Sequence, residues 1–270
     1  MFVYTDDLHM GCSGWSYSRW IGKFYPEGSH LNKLLSMYSN TFDSVEVDST
    51  YYSTPSVKTV SSWYESTTTN FKFCPKLDRT ITHVNLLRDV EDKLQLFISK
   101  MRLLHNKLGP ILIQLPPYLN FDPRLLENFI KILPKDLEFA VEFRNNSWLN
   151  DKTKSLLESY NIITVWSDSP FTKKVLWHTG NSIYLRLLGD RSIDETEFGT
   201  VQRERDDDIT RWAEIIRNDE GRVAYIFANN HYEGFSPHTV DLLKEKLGLD
   251  RSTWPINHPD DKDDRQTTLF

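Results

Sequence analysis

Short apolar runs of four or five residues alternate along the chain with longer stretches in which apolar positions recur every three or four residues. The first kind of run reads as a strand covered on both faces and the second as an amphipathic helix; their alternation predicts a parallel sheet wrapped by helices. Eight runs stand out: Met10–Ser13, Ser44–Val47, Phe71–Pro75, Ile111–Leu115, Phe139–Phe143, Ile163–Trp166, Ile183–Leu187 and Val223–Phe227. Leu94, Phe97, Ile98, Met101 and Leu104 form one helical stripe between runs, and Leu125, Leu126, Phe129, Ile130 and Leu133 form another. Eight strand–helix units predict an α/β fold of the (β/α)8 or TIM-barrel kind. The sixth unit has a weak or missing helix, because Ser167 to Asn181 contains Pro170 and Gly180 and reads as a loop or short hairpin.

Polar residues inside these runs keep one parity. Val45 and Val47 share a face and leave Glu46 and Asp48 on the other; Val141 and Phe143 leave Glu142 and Arg144; Ile183, Leu185 and Leu187 leave Tyr184 and Arg186. In a closed barrel one parity faces the helices and the other the lumen, so the polar set is expected inside, with Gln114, Asp168 and Asn229 joining it. These groups sit at the C-terminal ends of their runs, where barrel enzymes build their sites. Any single one could be a lining ion pair, such as Glu46 with Arg186, that only satisfies buried charge. The whole set points to a site, since charged side chains are rarely buried in such numbers without one.

Composition narrows the picture. A chain of 270 residues suits one barrel, and 39% hydrophobic with 13% aromatic residues supplies its core. The domain is expected over residues 1–249, with 250–270 as an acidic flexible tail, because Thr253 to Phe270 holds two prolines and no apolar period. The net charge of −6 excludes nucleic-acid binding by bulk surface charge. No stretch approaches the roughly 20 apolar residues of a membrane span, and Met1 to His9 lacks the order of a secretion signal. Cys12 and Cys74 are too few for a disulfide scaffold or a thiolate zinc site. A cytoplasmic protein with no membrane partner is the expectation. Asp206 to Asp208, ahead of a helical stretch, are expected to cap that helix.

A family resemblance rests on many ordered segments: Gly11-Cys12-Ser13-Gly14-Trp15-Ser16-Tyr17 with Trp20, Phe24-Tyr25-Pro26, and Val45 through Tyr52 followed by Pro55. It continues through Ile81-Thr82-His83, Leu108-Gly109-Pro110, Gln114-Leu115-Pro116-Pro117, Glu142-Phe143-Arg144 with Ser147-Trp148, Tyr184-Leu185-Arg186-Leu187 before Gly189, and Asn229-Asn230-His231. From Gly11 to the final helix the chain resembles the YecE-like family, a domain of unknown function. The resemblance implies the barrel and no settled reaction. Asp48 stands where the family usually carries Asn, and Leu188 where it often carries His, so a proton transfer by that histidine could not operate here.

The candidate catalytic residues are Glu46, Glu142, Arg144 and Arg186: two carboxylates in unlike surroundings for acid and base work, and guanidinium groups to clamp an anion or a developing charge. Trp15, Tyr17, Asp48, Tyr51, Lys76, His83, Gln114, Trp148, Asp168, Asn229 and Asn230 are candidate ligand contacts, the aromatic ones by stacking on a base or a sugar. His83 and His231 carry no metal-binding spacing; no cofactor is expected, and a single divalent metal on Glu46, Glu142 or Asp168 is the one metal option. Cys12 lacks a base and reads as a packed residue.

Gln266-Thr267-Thr268-Leu269-Phe270 resembles the short Q-x-x-L-F peptides that dock on sliding clamps, with Gln266 at a pocket rim and Leu269 and Phe270 in an apolar groove. A clamp partner would favour a hydrolase acting on DNA or a nucleotide by phosphodiester chemistry. The alternatives are a carbohydrate-active hydrolase using the two glutamates, and a non-catalytic barrel that binds a small anionic ligand or a protein partner.

Overall fold

Every apolar run becomes a strand. In the computed structural model, which describes residues 8–219 and 222–256, these are β1 Leu8–Ser13, β2 Ser44–Val47, β3 Lys72–Pro75, β4 Ile111–Gln114, β5 Phe139–Glu142, β6 Ile163–Asp168, β7 Ile183–Leu187 and β8 Ala224–Ala228. All pairings are parallel, in the order β3-β2-β1-β8-β7-β6-β5-β4. The first and last strands zip together over five positions, from Leu8 opposite Ala224 to Cys12 opposite Ala228. At the other seam no ladder joins β3 to β4; isolated bridges of each strand with the other's flank, Phe73 with Leu108 and Lys76 with Leu112, take its place. The barrel is therefore nearly closed, with its loosest joint beside Lys76.

Around the sheet lie α1 Leu34–Ser39, α2 Ser49–Tyr52, α3 Val57–Glu65, α4 Glu91–Met101, α5 Pro123–Lys131, α6 Asp151–Ser159, α7 Asp206–Arg217, α8 Asn230–Glu233 and α9 Ser236–Leu247. Their starts follow from short polar side chains that satisfy first-turn amides: Asp122 accepts from Leu125 N, ahead of Pro123, and Asn150 accepts from Thr153 N. Asp206, Asp207 and Asp208 fill the first turn of α7, where they favour its dipole, but the residue before them makes no side-chain capping bond. The expected cap is thus a charge effect only. No helix forms between β6 and β7; the connection is a loop, held where Trp166 Nε1 donates to Trp177 O and Thr179 Oγ1 to Ile162 O.

The apolar core has two shells. The large one lies between sheet and helices and includes Phe24, Tyr38, Phe73, Phe97, Phe129 and Trp212. The small one fills the lower lumen with Cys74, Leu112, Ala140, Ile163, Val165, Tyr184, Tyr225 and Phe227. Packing also continues beyond residue 249: Trp254 is buried, meets Phe24 and Phe235 edge-on, and donates through Nε1 to Asp241 at 2.6 Å. The packed body therefore runs past the expected end of the barrel, at least to Trp254. Among the described residues no helix is long and apolar enough to cross a membrane.

Candidate functional site

Strand geometry builds the site in layers. Two residues above the apolar plug, on the same face of each strand, the side chain turns polar: Leu112 is followed by Gln114, Ala140 by Glu142, Val165 by Ser167, Tyr184 by Arg186 and Phe227 by Asn229. At the centre of this layer Arg186 joins the two glutamates. Its Nη1 donates to Glu142 Oε2 at 2.5 Å and its Nη2 to Glu46 Oε1 at 2.7 Å. Glu46 also accepts from Ser13 Oγ and Tyr184 OH, both at 2.8 Å, and Glu142 accepts from Gln114 Nε2 at 2.6 Å and Ser167 Oγ at 3.0 Å. Arg144 adds an ion pair to Glu142 at 3.0 Å.

Glu46 and Glu142 are 0% and 1% exposed, so both are sealed beneath the cavity rather than open to it. Their surroundings pull them apart. Burial raises Glu46 above the usual carboxylate range, with Arg186 opposing it. Burial acts on Glu142 in the same sense, but Arg144, Arg186 and the Gln114 amide together outweigh it and bring its pKa down to about 2.

Over this layer opens a cavity of about 290 Å³. Of the residues expected from the sequence, Asp48, Tyr51, Lys76, Gln114, Arg144, Arg186 and Asn229 line it. Lys76 Nζ stands 3.6 Å from Asp48 Oδ1 and 4.3 Å from the centre of the Tyr51 ring, and makes no hydrogen bond to any described residue. Asp48 Oδ1 also lies 3.8 Å from Arg186 Nη2. The Nε atoms of Arg144 and Arg186, with Asp48 Oδ1, are buried polar atoms without a hydrogen-bond partner among the described residues. His83 sits just outside the lining, edge-on to Tyr51 at 5.0 Å; burial first, then Lys76, Arg79 and Arg144, push its pKa down to about 4.

Several expected residues lie elsewhere. Asp168 points to the helix side of β6, where Trp212 Nε1 and Tyr232 OH donate to it at 2.7 and 2.8 Å; Ser167 holds the lumenal place instead. Trp148 is fully buried, stacks on Phe143 and donates to Leu119 O, which makes it the anchor of its loop. Asn230 is buried and accepts from Ser236 N and Oγ at the start of α9. Trp15 packs edge-on against Trp63, and Tyr17 donates to Ser13 O and lies against Trp20, so neither lines the cavity. Cys12 faces Tyr38 on the helix side, where burial pushes its thiol up to about 12. With Asp168 on the far side and both glutamates bound to Arg186, the three carboxylates considered for a metal do not converge. Among the described residues no group of three His, Cys, Asp or Glu is placed to hold one. Gln266, Leu269 and Phe270 lie outside the described residues.

The cavity also draws on residues of loops and one-turn helices that carry no periodicity: Tyr52, Phe171, Leu188, Gly189, Arg191, Glu195 and His231. His231 Nε2 pairs with Glu195 at 3.2 Å. Leu188 contributes an apolar spot where the resemblance expects an imidazole, and His231 brings an imidazole from the β8 side. Gly189 makes this packing possible: its φ is +68°, and a Cβ there would fall 2.1 Å from His231 O.

The arrangement has known counterparts. The family model described as "Protein of unknown function DUF72" matches residues 9–264. This chain belongs to the DUF72 family. Curated relatives include the UPF0759 protein YecE of Escherichia coli K12, 31% identical over 141 residues, and YunF of Bacillus subtilis 168, 27% identical over 175 residues. The matched stretches cover 51% and 60% of this chain, and 48% and 61% of those relatives, so the chain spans about half the length of the YecE protein it matches. Among solved structures, a DUF72 protein (TM1631) of Thermotoga maritima superimposes with a TM-score of 0.78 at 26% identity, over 89% of this chain and 99% of that one. A DUF72 protein (EF0366) of Enterococcus faecalis gives 0.73 at 20% identity over 90% and 96%, a likeness of fold. The DUF72 match ends before Gln266, so the clamp-like peptide is not part of what the family model matches.

Proposed function

We propose that the mouth of this DUF72 barrel binds one small anionic metabolite bearing a carboxylate or a phosphate. The observation that carries this reading is Lys76, an ammonium only 8% exposed that lines the cavity without a hydrogen bond to any described residue. Its ion-pair partner among the described residues, Asp48, stands at 3.6 Å, beyond hydrogen-bond distance, so the ammonium keeps donors for an anionic guest. Arg144, one guanidinium nitrogen of which pairs with Glu142, lines the same cavity, while Gln114 and Asn229 offer amides that orient a ligand.

Size supports a single small guest. About 290 Å³ is at the lower edge of the roughly 300–1,000 Å³ typical of ligand pockets. A cavity of this volume suits a guest the size of a phosphate or a short carboxylate, placed against Lys76 and Arg144 on its wall. Glycoside hydrolysis by Glu46 and Glu142 is disfavoured on separate grounds. A general acid or base must reach the substrate, and these carboxyl groups are buried and bonded on both oxygens.

Isothermal titration with inorganic phosphate and with pyruvate tests the reading. Binding by the wild-type protein should fall about tenfold or more in Arg144→Gln, roughly the 1.4 kcal/mol of one charged contact. Absence of heat from both anions, or equal affinity in the variant, would overturn it.

A further inference from the structure

We propose that Lys76 is a nucleophile toward carbonyl compounds, forming an imine through Nζ with a small oxo acid or oxo phosphate whose anionic group is held by Arg144. The inference rests on the reading of the mouth as an anion site and assigns that site a substrate class and a covalent step.

Two buried lysines of the same chain allow a direct comparison. Lys107, 5% exposed, donates from Nζ to Tyr64 O at 2.6 Å, Thr67 O at 2.9 Å and Thr67 Oγ1 at 3.1 Å. All three of its N–H groups are used, which is how a structural lysine is satisfied. Lys76 has none of these bonds, although it is nearly as buried and lies at the C-terminal end of β3, at the joint with β4 that no ladder closes. A mostly buried lysine that makes no hydrogen bond and shares Asp48 Oδ1 with the Arg186 guanidinium is placed to release its proton more readily than a surface lysine. Burial is the main cause that lowers its basicity; Arg186 adds to it, and Asp48, Glu142 and Glu46 oppose.

The neighbours supply the remaining parts. Asp48 Oδ1, 3.6 Å from Nζ and without a hydrogen-bond partner among the described residues, is placed to take the ammonium proton. The neutral amine then attacks the carbonyl carbon, a C–N bond forms as the C=O π bond breaks, and one amine proton moves to the oxygen to give a carbinolamine. Asp48 returns its proton to the hydroxyl, which leaves as water, and the nitrogen lone pair closes the protonated imine. In sum, an ammonium and a carbonyl give an iminium and one water, with no oxidant or reductant. Tyr51, whose ring centre is 4.3 Å from Nζ, faces the cation before and after the step.

The test is reductive trapping. The full-length protein is incubated with pyruvate, glyoxylate or dihydroxyacetone phosphate in the presence of sodium cyanoborohydride, then read by intact mass and peptide mapping. The expected result with at least one of these probes is a single adduct per chain, located on Lys76 and suppressed by saturating inorganic phosphate; Lys76→Arg, checked for folding by its melting curve, should lose it. No adduct at Lys76 with any probe, or label spread over exposed lysines such as Lys152 while Lys76 stays unmodified, overturns the inference. The wild-type map gives that answer even if the variant fails to fold. Phosphate binding without an adduct removes the imine and leaves the anion site standing; an adduct at Lys76 that phosphate does not suppress keeps the imine and removes the shared anion site.

Discussion

Arg186 forms part of the cavity wall, and the contacts that fix it there also neutralise two buried carboxylates. Removing one partner of a buried ion cluster leaves charge uncompensated, which costs about 3–5 kcal/mol. Arg186→Met should therefore lower stability by that order in urea unfolding, and adding Glu46→Gln and Glu142→Gln should recover part of the loss; an equal loss in the triple variant would show that packing, not charge, dominates. His83 has a different signature. Its pKa is depressed from 6.5 to about 4 in the folded chain, so between those values the unfolded chain binds more protons. Stability from this residue is fully present above pH 6.5 and drains away as pH falls toward 4. His83→Gln should flatten the fall in the urea midpoint between pH 7 and pH 5 relative to the wild type, and an unchanged slope would place the titration elsewhere. Glu142, lowered from 4.5 to about 2, acts in the same direction but only below pH 4.5.

At the scale of strands, the sequence is readable where one face is apolar and the other polar. β2, β5 and β7 show that contrast within four or five residues, and Glu46, Glu142, Arg144, Tyr184 and Arg186 all fall on the lumenal side as their parity requires. β6 does not. Ile163 and Val165 fill the lumen, while Trp166 packs outward against Trp212, so both faces are hydrophobic and the alternation has no phase. The acidic Asp168 then looks like the functional end of the strand, when its partners are Lys174 in the following loop and Trp212 and Tyr232, 44 and 64 residues away. Loops pose the opposite problem. Arg191, Glu195 and His231 reach the cavity because turns after β7 and β8 bring them there, and no period in the sequence marks a turn's destination. The Gly189 contact with His231 O is the one local trace, since a left-handed glycine after an apolar run signals close backbone approach.

For the whole molecule, the decisive joints tie the beginning of the chain to its end. Trp254 wedges against Phe24 and Phe235, and Thr41 Oγ1 donates to Thr253 O, so residues past α9 clasp the first unit of the barrel. Trp254→Ala should cost about 3–5 kcal/mol, the usual price of emptying a large buried aromatic site, and should show as a lower melting temperature; a loss under about 1 kcal/mol would mean the segment merely rests on the surface. The β1–β8 ladder joins residues more than two hundred positions apart, and so sets an order of events for a polypeptide leaving the ribosome. Until Ala224–Ala228 has been synthesised, Leu8–Ser13 has one edge without a neighbour, and the half-made sheet offers that edge to any passing strand. Closure of the barrel must therefore wait for its last strand, and pairing over so long a separation favours slow over fast completion of the fold.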